Sequence, residues 1–198
     1  MAGAVIFDLD GTLTVPVLDF DGMRAEMGLT NEPILEAMER MDAGRRADAE
    51  AILRRHEHRA AHNSVLQEGA AETLAALARR GWHTAILTRN ARRWTQVVLD
   101  KHNLTVDTMR CRDDGAVKPS AAPIVDLCQE LECQPSASWM VGDHLFDIRS
   151  GRQAGCTTVL LLHADRPTPE YADQADHVIN RLTELLDLLD KAPVNQRP

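Results

Sequence analysis

The sequence predicts one α/β domain, a parallel β-sheet covered by helices on both faces, with an all-helical segment inserted after the first strand. Three observations predict it. Short apolar runs such as Ala4–Phe7 and Thr157–Leu162 read as strands buried on both sides. From about Glu68 onward, such runs alternate with amphipathic helical patterns, as in successive βαβ units. Between Phe20 and Leu66 the chain is instead rich in Ala, Glu, Arg and Met, with helical spacing and no strand pattern. At 198 residues there is room for one full domain with a modest insertion, but little for two. The expected division is a core of residues 1–14 and 67–198, interrupted by a helical insert over 15–66.

The elements follow in order. The strand Ala4–Phe7 ends at Asp8-Leu9-Asp10-Gly11. Within the insert, helices are expected near Phe20–Met27, Glu32–Met41 and Arg46–Ala61. Asn31 is expected to cap the second, with Pro33 in its first turn, and Gly44 to separate it from the third. Ala70–Arg80 reads as an amphipathic helix closed by Gly81, then His83–Leu87 as a strand ending at Thr88-Arg89-Asn90. A helix over Ala91–His102 leads to a strand over Val106–Cys111 and a polar loop carrying Lys118-Pro119. Next come a helix from Pro123 to Leu131, a strand Ser138–Val141 ending at Gly142-Asp143, a helix Asp147–Ala154 and the strand Thr157–Leu162. Asp176–Ile179 is expected as a short edge element before a helix from Leu182 to Leu189, and the last residues as a frayed end.

Composition narrows the class. The formal net charge of −8 favours solubility and argues against nucleic acid as a partner. The four cysteines form no CxxC pair and no disulfide framework, so they read as reduced structural thiols. No apolar run approaches the roughly 20 residues that span a bilayer, and Asp8 and Asp10 interrupt the first apolar stretch. A cytoplasmic protein is expected, with no membrane partner, as a monomer or small homo-oligomer. No repeat or low-complexity stretch is present, nor a Walker-type loop or GxGxxG.

The polar residues that need explaining all follow buried strands: Asp8 and Asp10, Thr88, Lys118, and Asp143 with Asp147. In a parallel sheet, those strand ends share one edge, where ligands bind. Each alone would serve as a turn or cap residue; together they argue for a site. Asp8 and Asp10, two apart, can project to one side, and Gly11 permits a sharp turn. Two carboxylates so close repel when both are ionised. A divalent cation relieves this, and unequal surroundings can leave one of them protonated.

Asp8-Leu9-Asp10-Gly11-Thr12-Leu13 resembles the DxDGT signature of the haloacid dehalogenase superfamily. Thr88 resembles its second motif, Lys118 its third, and Gly142-Asp143-His144-Leu145-Phe146-Asp147 its fourth. All four stand in order at strand ends, and the resemblance spans the chain. It implies a Rossmann-like three-layer α/β/α core and a small helical cap between the first two motifs. It also implies a phosphatase acting on a small phosphorylated metabolite, with Asp8 as nucleophile forming an aspartyl-phosphate. Asp10 would be the acid and then the base, and Lys118 would offset charge on Asp8 and the phosphoryl group. Thr88, with its neighbours Arg89 and Asn90, would bind the substrate. Mg²⁺ is the implied cofactor, held by Asp8, the Asp10 carbonyl and Asp143. Asp147 would act through water or by orienting Lys118; all-oxygen ligation suits Mg²⁺.

Some positions depart from the motifs. His144 stands where a small hydroxyl residue is common, and can touch the metal's outer shell, the substrate or solvent. Arg89 intervenes between Thr88 and Asn90, as an anion clamp or a surface residue. His56, His58 and His62 do not form HExxH, so a solvated helix face is expected rather than zinc. Arg45-Arg46 and Arg54-Arg55 are likewise expected on exposed helix faces, with Arg24 and Arg45 as candidate cap contacts. A sugar phosphomutase shares nearly every residue and stays open as an alternative. A receiver-like phospho-switch needs neither a leaving-group acid nor a lid, and a dehalogenase needs neither that acid nor Mg²⁺.

Overall fold

Side chains alternate along Ala4–Phe7, strand β1, so that Val5 and Phe7 enter one apolar cluster and Ala4 and Ile6 another. That alternation with every residue buried is what a strand covered on both faces produces. In this computed structural model, which describes residues 3–192, the other strands are β2 (His83–Leu87), β3 (Thr108–Arg110), β4 (Trp139–Gly142), β5 (Thr157–Leu161) and β6 (His177–Ile179). The final residues expected to fray lie outside the described ones.

Among the described residues these strands form one parallel sheet in the order β3-β2-β1-β4-β5-β6. The architecture is Rossmann-like, and the order reverses between β1 and β4, where a crevice opens beyond the strand ends. One face of the sheet is covered by the helices formed by Ala70–Arg79 and Arg92–His102, with Glu184–Lys191 beside them. The insert helices precede these in sequence: α1 (Phe20–Met27), α2 (Ile34–Glu39) and α3 (Ala43–Asn63), followed by α4 (Ala70–Arg79) and α5 (Arg92–His102). Helices α6 (Ala122–Glu130) and α7 (Leu145–Ala154) cover the other face, and α8 (Glu184–Lys191) closes the described chain. Leu74 and Leu77 of α4, Trp94 and Val98 of α5 and Leu185 of α8 share the cluster of Val5 and Phe7, whereas Ile124 and Leu127 of α6 meet Ile6 and Met140. Each such fully buried side chain contributes about 1.5–3 kcal/mol.

Leu9, between the two aspartates of the first loop, is also a core residue with no exposed surface. Its carbonyl accepts hydrogen bonds from the Thr14 amide at 2.9 Å and the Thr14 hydroxyl at 3.2 Å, closing the loop on itself. The segments leading into and out of the insert run side by side. The Val15 amide donates to the Val65 carbonyl and the Gln67 amide to the Leu13 carbonyl, each at 2.9 Å.

Helices α1 to α3 surround their own cluster of Met23, Met27, Ile34, Met38, Ala49 and Leu53. Two expectations about their boundaries are corrected. Pro33 stands at the N-cap of α2 with ψ 130°, ahead of the helix, and no side chain caps there, so Asn31 is not the cap. Gly44 lies inside α3, whose N-cap is Asp42: its carboxylate accepts from the Arg45 amide at 3.0 Å and starts the helix before the glycine can break it. Arg46 donates to the Met38 and Glu39 carbonyls at 3.0 and 2.7 Å, closing the C-terminus of α2 rather than facing solvent only.

Candidate active site

The floor of the crevice is built at strand ends. Asp8 follows β1, and Lys118, from the loop between β3 and α6, reaches it: Nζ lies 2.6 Å from Asp8 Oδ1 and 2.6 Å from Asp147 Oδ1. Asp147 is the third residue of α7. Its second oxygen accepts from the His144 amide at 3.0 Å, while His144 Nδ1 accepts from the Phe146 amide at 3.2 Å. That reciprocal pairing is a capping box, with an imidazole in the place usually taken by a hydroxyl or carboxylate. His144 therefore starts α7, and both oxygens of Asp147 are engaged.

Two glycines make this closeness possible. A Cβ on Gly142 would lie 2.2 Å from the Asp147 carboxyl carbon, and one on Gly11 would lie 2.2 Å from Asp143 Oδ2. Gly11 also has φ 88°, a conformation that L side chains rarely adopt. Asp143 follows β4 beside them. One oxygen from each of Asp8, Asp143 and Asp147 falls within 4.8 Å of the other two.

Burial pushes Asp8 well above the ordinary carboxylate range; Lys118 opposes the shift, and Asp147 and Asp143 add to it. Burial alone would lower Lys118, but Asp147 and Asp8 outweigh it and hold its pKa above normal, so the ammonium stays charged. The donor set is thus all oxygen, with three carboxylates and one cation crowded together. A hard divalent cation such as Mg²⁺ fits that set.

Asp10 faces different partners. The Asn90 side-chain amide donates to Asp10 Oδ2, and the Asn90 main-chain amide donates to Thr88 Oγ1 at 3.1 Å. Burial pushes Asp10 up to about 7; the Asn90 bond opposes this and the charge of Glu57 adds to it. Two aspartates two residues apart thereby differ in their partners: Asp8 is ion-paired to Lys118, while Asp10 lies beside the Asn90 amide with its pKa raised to about 7.

The insert roofs the floor over a half-open cavity of about 420 Å³. Leu18, Phe20, Met23, Ile34, Leu35 and Leu53 give it an apolar upper wall. Two arginines of the core bind the insert from below. Arg89 meets Glu36 of α2 with both ends of its fork, at 2.9 and 2.6 Å, donates to the Lys118 carbonyl at 2.5 Å and stacks on Phe146 with 4.8 Å to the ring centre. Arg112 meets Glu57 of α3 at 2.5 and 3.0 Å and donates to the Arg89 carbonyl at 2.9 Å. Although its partial burial works against the charge, Glu36 is held below the usual range by Arg89. The deeper Glu57 is pushed up by burial against the pull of Arg112.

Asp8, Asp10, Thr88, Arg89, Asn90, Lys118, Asp143 and Asp147, the residues expected to react or to bind substrate and metal, all line this one cavity. Arg89 is committed to Glu36, and Asn90 to Asp10. Arg24 lines the cavity while paired to Asp21 at 2.7 Å; Arg45 is exposed and away from it. His56 pairs with Glu26 at 2.8 Å, and His58 and His62 stand beside Trp94, in no metal-ligating group among the described residues. Sequence reasoning missed Glu36, Glu57, Arg112 and His163. The signal for Glu57 was present: Leu53, Glu57, Ala60 and Ala61 share the buried stripe of α3, and a carboxylate on such a stripe needs a partner.

The haloacid dehalogenase-like hydrolase family profile matches residues 16–161. A phosphoglycolate phosphatase of Chromobacterium violaceum is 30% identical, with 94% of this chain covering 96% of that protein. The N-acetylmuramic acid 6-phosphate phosphatase of Pseudomonas aeruginosa is 28% identical over 96% of this chain and 95% of its own. A solved hydrolase from Pseudomonas syringae matches with TM-score 0.81 at 20% identity, over 96% of this chain and 98% of its own, a likeness of fold.

Proposed function

The chain belongs to the haloacid dehalogenase-like hydrolases, and from that membership we propose that this phosphatase hydrolyses a small soluble phosphomonoester through an aspartyl-phosphate on Asp8, with Mg²⁺ as cofactor. The observation that carries the reading is the division between the two aspartates: Asp8 is ion-paired to Lys118, and Asp10 is held near neutrality beside Asn90. A nucleophile must be ionised and a leaving-group acid must carry a proton: Lys118 pulls Asp8 toward its ionised form against its burial, and burial keeps a proton available on Asp10 near neutral pH.

An oxygen of Asp8 attacks phosphorus as the bond to the substrate oxygen breaks, and Asp10 gives its proton to the departing alkoxide. Asp10, now ionised, takes a proton from water as that water attacks the aspartyl-phosphate. Phosphate leaves and the Asp8 carboxylate is restored. The Thr88 hydroxyl donates to a phosphoryl oxygen, and Lys118 offsets the charge gathered between Asp8 and that group. Asp8, Asp143 and the Asp10 carbonyl would hold the Mg²⁺, with Asp147 fixing Lys118. When bound, the ion would neutralise the crowded carboxylates and the phosphate together.

The insert is read as a cap over residues 15–66 that excludes water and selects the substrate. The cavity volume suits a compact organic group under an apolar wall, and a phosphopeptide or nucleic-acid strand would have to thread beneath α1 and α2. Among the described residues no helix is long and apolar enough to cross a membrane. Four unpaired, buried cysteines accord with action in the cytoplasm.

The test combines trapping with a substrate panel. Wild-type protein with Mg²⁺ should form an acid-stable, base-labile phosphoenzyme, and chelation should abolish turnover until Mg²⁺ is restored. Asp8→Asn should lose both turnover and phosphoenzyme. Substantial turnover by Asp8→Asn, full activity in excess chelator, or a kcat/KM panel led by phosphopeptides would each overturn part of the proposal.

A further inference from the structure

We propose that His163 is a positioning residue for the cation site, fixing which oxygen of Asp143 is presented to the metal; the inference rests on the Mg²⁺ reading above. His163 stands two residues beyond the end of β5, next to β4 in the sheet, where Gly142 is in register with Leu160. Its Nε2 lies 3.2 Å from Asp143 Oδ2, and the two side chains are only 9% and 12% exposed. Because a carboxylate oxygen accepts, the imidazole N–H donates. Its own backbone is tied down, for the Arg166 amide donates to the His163 carbonyl at 3.1 Å.

The carboxylate also lies close to Gly11: a Cβ there would meet Oδ2 at 2.2 Å and Oδ1 at 2.8 Å, so Asp143 has this room only beside a glycine. The Asp143 main chain is held independently, its carbonyl accepting from the Tyr171 hydroxyl at 3.3 Å. With Oδ2 engaged by His163, Oδ1 is the oxygen left free for a cation. A carboxylate that swings freely presents either oxygen or both, and Mg²⁺ demands near-ideal placement of each ligand. Removing a hydrogen bond that orients a metal ligand typically costs about 10–100-fold in affinity.

Mg²⁺ binding to the full chain without substrate, by isothermal titration calorimetry, tests this. His163→Ala should weaken Mg²⁺ binding roughly 10–100-fold, while His163→Gln, whose side-chain amide places a donor near Nε2, should restore most of the loss. Unfolding midpoints in chelator report whether each variant folds. Were His163→Ala to bind Mg²⁺ as tightly as wild type, or His163→Gln to bind as weakly as His163→Ala, the positioning role would be overturned while the cation site stood. Asp143→Ala separates the two readings: it should bind Mg²⁺ more weakly still. Undiminished binding by Asp143→Ala would remove the cation site, and His163's role with it.

Discussion

At the scale of single residues, the first loop holds charge in a place where burial opposes it. Asp10 is raised from an ordinary carboxylate value near 3.8 to about 7. The folded state therefore binds more protons there than the unfolded chain between about pH 4 and 7. Stability from this group falls as pH rises through that window and stays low above it. In metal-free protein, Asp10→Asn should accordingly raise the unfolding midpoint at pH 8, with the gain vanishing below about pH 4. Each kcal/mol relieved is worth about 2–4 °C in a chain of this size. A midpoint at pH 8 equal to or below wild type would mean that Asp10 is not strained by its burial. The residues of this loop were legible because Asp8 and Asp10 recur with Thr88, Lys118 and Asp143 at the ends of buried strands, where any one of them alone would pass for a turn or cap. His163 was not: a single histidine two residues past a strand carries no mark of the carboxylate it meets from the neighbouring strand.

Among the elements, the insert and the core are joined by ion pairs unlike those on the surface. Glu57 is 1% exposed and Arg112 21% exposed, so truncating either leaves a charge with little water to replace its partner. Glu57→Ala should cost roughly 3–5 kcal/mol in urea unfolding, and replacing both Glu57 and Arg112 by Met should recover much of that. If the double variant is no more stable than the single one, the loss arises from the packing of α3 rather than from the stranded guanidinium. Strand limits came through well from the sequence, since apolar runs bounded by Gly, Asp and Thr leave little latitude. Helix starts in the insert did not. A proline with fixed φ serves equally as a cap or a first-turn residue, and only its ψ of 130° decides for the cap. The clasp was illegible for a different reason: Glu57 and Arg112 are 55 positions apart, and no local pattern pairs them.

Taken as a whole, the molecule keeps its stability in two apolar layers around one sheet and needs no cross-link. All four cysteines are unpaired and buried, so a reductant should leave the thermal unfolding midpoint unchanged; a fall on reduction would reveal a disulfide in the folded protein. The sheet was legible from alternation of strand and helix, and its strand order puts the loops after β1 and β4 side by side. Leu9 then has a consequence for how such a sequence can change over time. It is at once a member of the core and the link between the two aspartates proposed to react, so its side chain answers to both fold and chemistry. A neutral drift that the rest of the core would absorb by repacking would here also turn Asp8 against Asp10. A substitution there is therefore tested twice, once by the packing of the core and once by the placing of two carboxylates.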